Sequence, residues 1–308
     1  MEQALESSIA YLDSDKVQSA FDIDTYWPKW DSPWWHMTLM WELGHANRIP
    51  KRAAQQWRDA INLQYLHFFP FTEAELPEGV DPLNDVMCHC GLGTAYQVLR
   101  AAGIDVDTEM SWVRPWIVKY QMSEGGWNCD EGAYVRERAK ASVVSSVPIL
   151  EALLDVPNRS EQENEVLDKG MQYLLSRSLF RSVTTRGVIN EDWLKLTFPR
   201  FYEYDVLRGL NLVARWAEQR MPEFEQNSIA EAMELVRRKV QTAAGEPTGV
   251  LPVERQFHTT CGSRLPNADG TWGKGASSDF PLLRACWRAG EPCPPLSRSW
   301  QKVQSVLG

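Results

Sequence analysis

The stretch QMSEGGWNCDEG, Gln121 to Gly132, decides how this chain is read. A glutamine is followed at short range by two glycines and a tryptophan, then by an asparagine, a cysteine and two acids. The glycines supply the backbone freedom that a tight turn needs. The tryptophan supplies a large apolar surface with one N–H that wants an acceptor. The stretch therefore divides. Gly125, Gly126 and Trp127 read as scaffold, and Cys129, Asp130 and Glu131 read as the place to look for chemistry.

On both sides of it the apolar periodicity is helical, and few segments alternate with period two. A two-helix unit recurs. One helix is apolar on every side, and the next is amphipathic. The first kind is expected at Ser32–Gly44, Asn84–Gly103, Lys140–Leu154, Tyr202–Trp216 and Ser277–Gly290. The second is expected at Lys51–Leu66, Thr108–Gln121, Glu161–Ser176, Gln226–Gln241 and Leu296–Leu307, with Glu2–Leu12 as an unpaired surface helix. A helix apolar all round is buried all round. Five inner and six outer helices predict an all-α fold, a closed ring of helical hairpins (an α/α toroid), because stacked repeats either form an open solenoid or close. The terminal unit is as apolar as the middle ones, which favours closure. No linker marks a boundary, so a single domain over 1–308 is expected.

Composition fits a globular chain: 308 residues, 44% hydrophobic and 24% charged. A net charge of −9 argues against nucleic acid as a partner, since phosphate binding wants a basic face. No run is long and apolar enough for a transmembrane helix, and the acidic start lacks the pattern of a signal peptide. Six unevenly placed cysteines do not form a disulfide framework, so a cytoplasmic location is expected. Fourteen tryptophans imply packing anchors or an aromatic-lined pocket.

Gln121-x3-Gly125-x-Trp127, followed by Ser145, Ser146 and Leu150–Leu153, resembles the glutamine–tryptophan repeat of the prenyltransferase and squalene-cyclase-like superfamily. NADGTWG, Asn267–Gly273, is similar to a degraded second copy. The resemblance implies the toroid and a small, largely apolar substrate, isoprenoids included. It implies cyclisation, isomerisation or hydration/dehydration by acid–base chemistry, as in a lyase or isomerase. The family's Asp-x-Asp-Asp acid is absent. Asp22-Ile-Asp24-Thr25 and Asp105-Val-Asp107-Thr108 lack its last aspartate.

In a ring of hairpins every inner-helix N-terminus points to one end, where N–H groups and partial positive charge are exposed. The residues there are Asp31, His36, Asp85, His89, Asp130, Glu131, Tyr204, Asp205, His258 and Asp279. Asp130, Asp85, His89, His258 and Asp205 are the candidate catalytic groups. Trp34, Trp35, Tyr202, Tyr204, Cys129 and Asp279 are the candidate substrate-binding ones. Asp85 and His89, four apart, share one helix face, as an oriented imidazole requires. The plainer alternatives are N-capping for Asp31, Asp85 and Asp279, and a solvated loop for His258. Phe198, Phe201 and Tyr202 can equally plug the ring.

No cofactor is expected. Cys88, His89 and Cys90 invite a zinc reading, but on a helix those two thiols diverge by about 200°. They read better as buried, inert thiols. Cys129 and Asp130 with His258 and Cys261 imitate the zinc set that the resemblance implies, without its order of ligands. A carbohydrate-active helical barrel and a non-catalytic binding protein are the rival functions.

Overall fold

The computed structural model describes residues 1–23, 25, 32–64, 89–134, 139–220, 224–243, 246–256, 263–269, 271–275 and 279–308. Helices dominate, as the periodicity requires. In chain order they are α1 (Glu2–Leu12), α2 (Lys16–Ile23), α3 (Pro33–Glu42), α4 (Lys51–Gln64), α5 (His89–Ala101), α6 (Val106–Glu109) and α7 (Val113–Lys119). They continue as α8 (Val143–Asp155), α9 (Glu161–Leu175), α10 (Val206–Arg220), α11 (Asn227–Arg237), α12 (Pro281–Arg284) and α13 (Pro294–Leu307). Two short antiparallel ladders accompany them: β1 (Thr242–Ala243) with β2 (Glu246–Pro247), and β3 (Ser263–Pro266) with β4 (Trp272–Gly275).

The chain divides into two compact units. The first holds residues 1–119, 130–139 and 258–286, and the second holds 120–129, 140–257 and 287–308. Sequence alone reads one domain over 1–308, because periodicity marks helices and not which helices share neighbours.

In the first unit α3 is buried without a break from Pro33 to Met40, with Pro33 in its first turn, where a missing N–H costs nothing. It packs on α5, itself buried from His89 to Leu99. Helix α1 packs on α12, α2 and α3, and α2 packs on α4. In the second unit α8 is buried from Ser145 to Leu154 and packs on α9 and α10. A capping box opens α9: Ser160 Oγ accepts from the Glu163 N–H (3.2 Å), and Glu163 Oε2 accepts from the Ser160 N–H (2.7 Å). Helix α10 also packs on α11 and α13. The alternation of all-round burial and amphipathicity is present in α3–α4 and α8–α9, whereas α10, expected to be apolar all round, has an exposed polar face of its own.

Several expectations are corrected. The outer helix expected over Thr108–Gln121 is two short helices, α6 and α7. Pro115 cannot donate in a helix interior, and restarting the helix at Val113 places it in a first turn. The inner helix expected over Ser277–Gly290 is, among its described residues, the single turn α12, and the chain passes to the second unit after Cys286. Of Asn267–Gly273, Trp272 and Gly273 belong to β4, and between the strands Asp269 Oδ1 accepts from the Thr271 N–H (3.0 Å) and hydroxyl (2.7 Å). Helix α2 has no counterpart in the sequence reading.

Candidate functional site

The deciding stretch is itself split between the units, with Gln121–Cys129 in the second and Asp130–Gly132 in the first. Its first half is a clamp. Gln121 Nε2 donates to the carbonyls of Gly125 and Val166, both at 2.7 Å, which ties the turn to α9. Trp127 is wholly buried. Its backbone N–H donates to Ser146 Oγ on α8 (2.8 Å), and its carbonyl accepts from the Ser142 N–H (2.8 Å). The glutamine thus binds one helix of a pair and the tryptophan the other. The scaffold reading of Gly125, Gly126 and Trp127 has a specific physical form here.

The second half delivers a different residue from those singled out in sequence. The Asp130 carbonyl accepts from the Ala133 N–H (2.9 Å) and starts a 3₁₀ turn over Glu131–Tyr134. At its end the Tyr134 hydroxyl lies 3.2 Å from Nδ1 of His89, with ring centroids 5.7 Å apart. His89 is completely buried at the described start of α5, whereas Tyr134 is half-buried. The sequence reading names the acids of this stretch and not Tyr134. The signal was its place in EGAY, one short turn beyond Asp130.

The remaining candidates fall into separate places. In the first unit Trp34 and Trp35 tilt against each other at 4.4 Å, and Trp34 meets Trp57 at 5.9 Å, with all three side chains in the core. His36 is also buried. Its Nδ1 lies 3.1 Å from Ser8 Oγ, and its ring stacks on Phe280 (3.9 Å) and tilts against Tyr11 (4.4 Å). Burial in this apolar stack pushes its imidazole down to about 3, so it is neutral at physiological pH. Asp130 is exposed. Asp279 does not cap α12: its carboxylate pairs with Arg284 (2.7 Å), and the cap position belongs to Phe280. Asp31, Asp85, Cys88, His258 and Cys261 lie outside the described residues, so the Asp85–His89 pairing does too.

In the second unit Asp205 is wholly buried and serves α10 as its cap. Oδ1 accepts from the Arg208 N–H (2.8 Å) and from Arg200 (3.3 Å). Oδ2 accepts from the Thr197 N–H (2.9 Å) and Arg200 Nε (3.2 Å). A carboxylate offers about four acceptor sites, and these four donors occupy them. Tyr204 is buried with its hydroxyl on the Leu179 carbonyl (2.9 Å), and burial raises its phenol far above the usual range. Phe201 is buried as well, which is the plug reading for that residue. Tyr202 and Cys129 are half-buried.

Beside Asp205, Arg208 forms a bidentate pair with Glu151 of α8 (2.9 and 2.7 Å). Burial alone pushes the Glu151 carboxyl up, but Arg208, with Arg215 and Arg200 behind it, holds it below the ordinary range.

Among the described residues no three His, Cys, Asp or Glu side chains gather as a metal-holding group. Among them, too, no helix is long and apolar enough to cross a membrane. No family model, curated protein or solved structure matches the chain.

Proposed function

We propose that this chain is an enzyme performing acid–base chemistry on a small, largely apolar substrate, isoprenoids included, with Tyr134 and His89 handling the proton. The observation that carries the reading is the 3.2 Å contact between the Tyr134 hydroxyl and Nδ1 of a fully buried His89. With a proton on Nδ1, the imidazole donates to the phenol oxygen and steadies the negative charge that a departing phenol proton leaves there. The tyrosine gives its proton to a substrate atom while the Nδ1–H bond stabilises the phenolate left behind, and the phenolate takes a proton back from the substrate in the second half of the reaction.

Magnitudes choose among the expected reactions. Free imidazole and phenol have pKa values of about 6.5 and 10. Neither is acid enough to protonate an unactivated alkene, which is what a cyclisation begun by a carboxylic acid requires. The pair suits isomerisation, hydration or dehydration, where the proton moves at an oxygen or at a carbon beside one.

The same proposal keeps the closure of the helix pairs into an α/α toroid and the kinship with prenyltransferases and squalene cyclases. Their support is the Gln121–Trp127 clamp on paired helices and the recurrence of buried and amphipathic partners. Six unevenly placed cysteines, which form no evident disulfide framework in sequence, support a cytoplasmic location. A carbohydrate-active site wants two open carboxylates facing each other. The buried Glu151 and the part-buried Asp155, Asp168 and Glu203 are each held by an arginine instead.

The test is proton exchange. The protein is incubated in deuterated buffer with geranyl, farnesyl and geranylgeranyl diphosphates, the matching prenols and squalene, and deuterium uptake is read by mass spectrometry. Uptake into at least one substrate, lost in His89→Gln, is expected. No uptake across the panel, or equal uptake in His89→Gln, rejects the reading.

A further inference from the structure

The second unit contains a cavity of about 520 Å³ that has no part in the acid–base reading and does not rest on it. Its wall includes Lys140, Ser142, Arg177, Val183, Ile189 and Trp193. Ser142 caps α8, accepting from the Ser145 N–H (3.4 Å), so the first turn of a 13-residue helix borders the space with its positive end. The segment ahead of it is fixed. Asn128 Nδ2 donates to the Lys140 carbonyl (2.8 Å), and the Tyr173 hydroxyl donates to the Ala141 carbonyl (2.8 Å).

Charge bookkeeping at this wall identifies the ligand class. Arg177 is spoken for: it pairs with Glu124 (2.8 Å), lies over the Tyr173 ring at 3.7 Å and donates to the Tyr173 carbonyl (3.0 Å). Tyr173 stays a neutral phenol, pushed up to about 12 by burial. Lys140 is exposed and makes no ion pair among the described residues, and no carboxylate lines the cavity. One positive charge is therefore uncompensated. Trp193 is 8% exposed, packs edge-on against Tyr204 at 5.0 Å, and its indole N–H has no acceptor among the described residues. A single ammonium, an open indole donor and a helix N-terminus together want one anionic group with several acceptor lone pairs. The wall also has an apolar part. Val183 and Ile189 are 47% and 42% exposed, unusual for such side chains in a chain with this much core.

We infer that this cavity binds a small monocarboxylate with an apolar body, its carboxylate at Lys140 and Trp193 and its body against Val183 and Ile189. One free cation matches a monoanion and leaves the second charge of a diphosphate unmatched.

Isothermal titration calorimetry of the full chain with decanoate and with decanol tests this. Decanoate is expected to bind with a Kd below about 100 µM. Decanol, with the same body and no charge, should bind at least about tenfold more weakly. Lys140→Gln should bring decanoate to the level of decanol, and Val183→Ser with Ile189→Ser should weaken both. These three side chains are at the surface, so the variants keep the core. No binding of decanoate at 1 mM (on the order of the weakest ligands that calorimetry resolves), equal binding of decanol, or an unchanged Lys140→Gln overturns the assignment. Loss of deuterium uptake in His89→Gln has no bearing on these outcomes, so the two readings fail separately.

Discussion

At Gly125 two demands coincide: a φ of +104° and a Cβ position 2.5 Å from the Lys169 carbonyl oxygen. The first is a conformation that L side chains rarely adopt. The second is backbone on α9, which cannot step aside. Gly249 shares only the first demand, with φ +73° and nothing nearer than 3.9 Å. Gly125→Ala is therefore expected to cost about 3 kcal/mol and Gly249→Ala about 1 kcal/mol in denaturant unfolding of the same unit. Equal losses at the two positions would mean that the close approach to α9 contributes nothing. The scaffold role of Gly-Gly-Trp was legible because glycine and tryptophan each have a narrow physical use. Tyr134 was not, because a tyrosine looks the same in sequence whether it plugs a core or meets a histidine.

Between elements the informative contact is the buried pair Glu151–Arg208, which joins α8 to α10. Arg208 also donates to the Phe201 carbonyl (3.1 Å) and the Glu203 carbonyl (2.8 Å), so it holds the chain leading into α10. Arg208→Met leaves a carboxylate buried without its counter-charge and is expected to cost about 4 kcal/mol. Glu151→Leu with Arg208→Met removes both charges and should recover at least about half of that. A double variant as unstable as the single one would assign the loss to the carbonyl contacts instead.

The long helices were legible from periodicity and caps, as at Glu161–Leu175 behind its Ser160–Glu163 box. What failed were the short ones. One turn at Pro281–Arg284 and the break at Met110–Trp112 carry too few residues for a period to show. The aspartates at helix starts were ambiguous for the same reason. Asp205 caps, Asp279 pairs with Arg284, and the residue type does not distinguish the two.

Over the whole molecule acid should act in two windows. His36 is buried neutral and depressed to about 3, while in the unfolded chain a histidine titrates near 6.5. Above about 6.5 both states are neutral and nothing is lost. Below it the unfolded chain takes up the proton that the folded one refuses, so stability falls as pH drops. Between pH 6.5 and 5 that amounts to about 2 kcal/mol. Glu151 is also depressed, so its stabilisation is present above the ordinary glutamate range and disappears only below it. Denaturant midpoints from pH 7 to 5 should therefore fall in the native chain and stay nearly flat in His36→Gln. A parallel fall in both would place the sensitivity elsewhere. At this scale the sequence was least informative. The split of one apparent helical repeat into two interleaved units depends on which helices become neighbours, and no local pattern records that.

The most direct measurement is the rate of proton exchange into a substrate that the native chain labels, compared in Tyr134→Phe and Asp130→Asn. Relay through the phenol predicts a fall of at least about 100-fold in Tyr134→Phe, in the range of a lost general acid or base. It predicts a change within about twofold in Asp130→Asn, whose backbone carbonyl still starts the turn. A Tyr134→Phe enzyme at the native rate beside an inactive Asp130→Asn would contradict it and return the chemistry to the exposed acid.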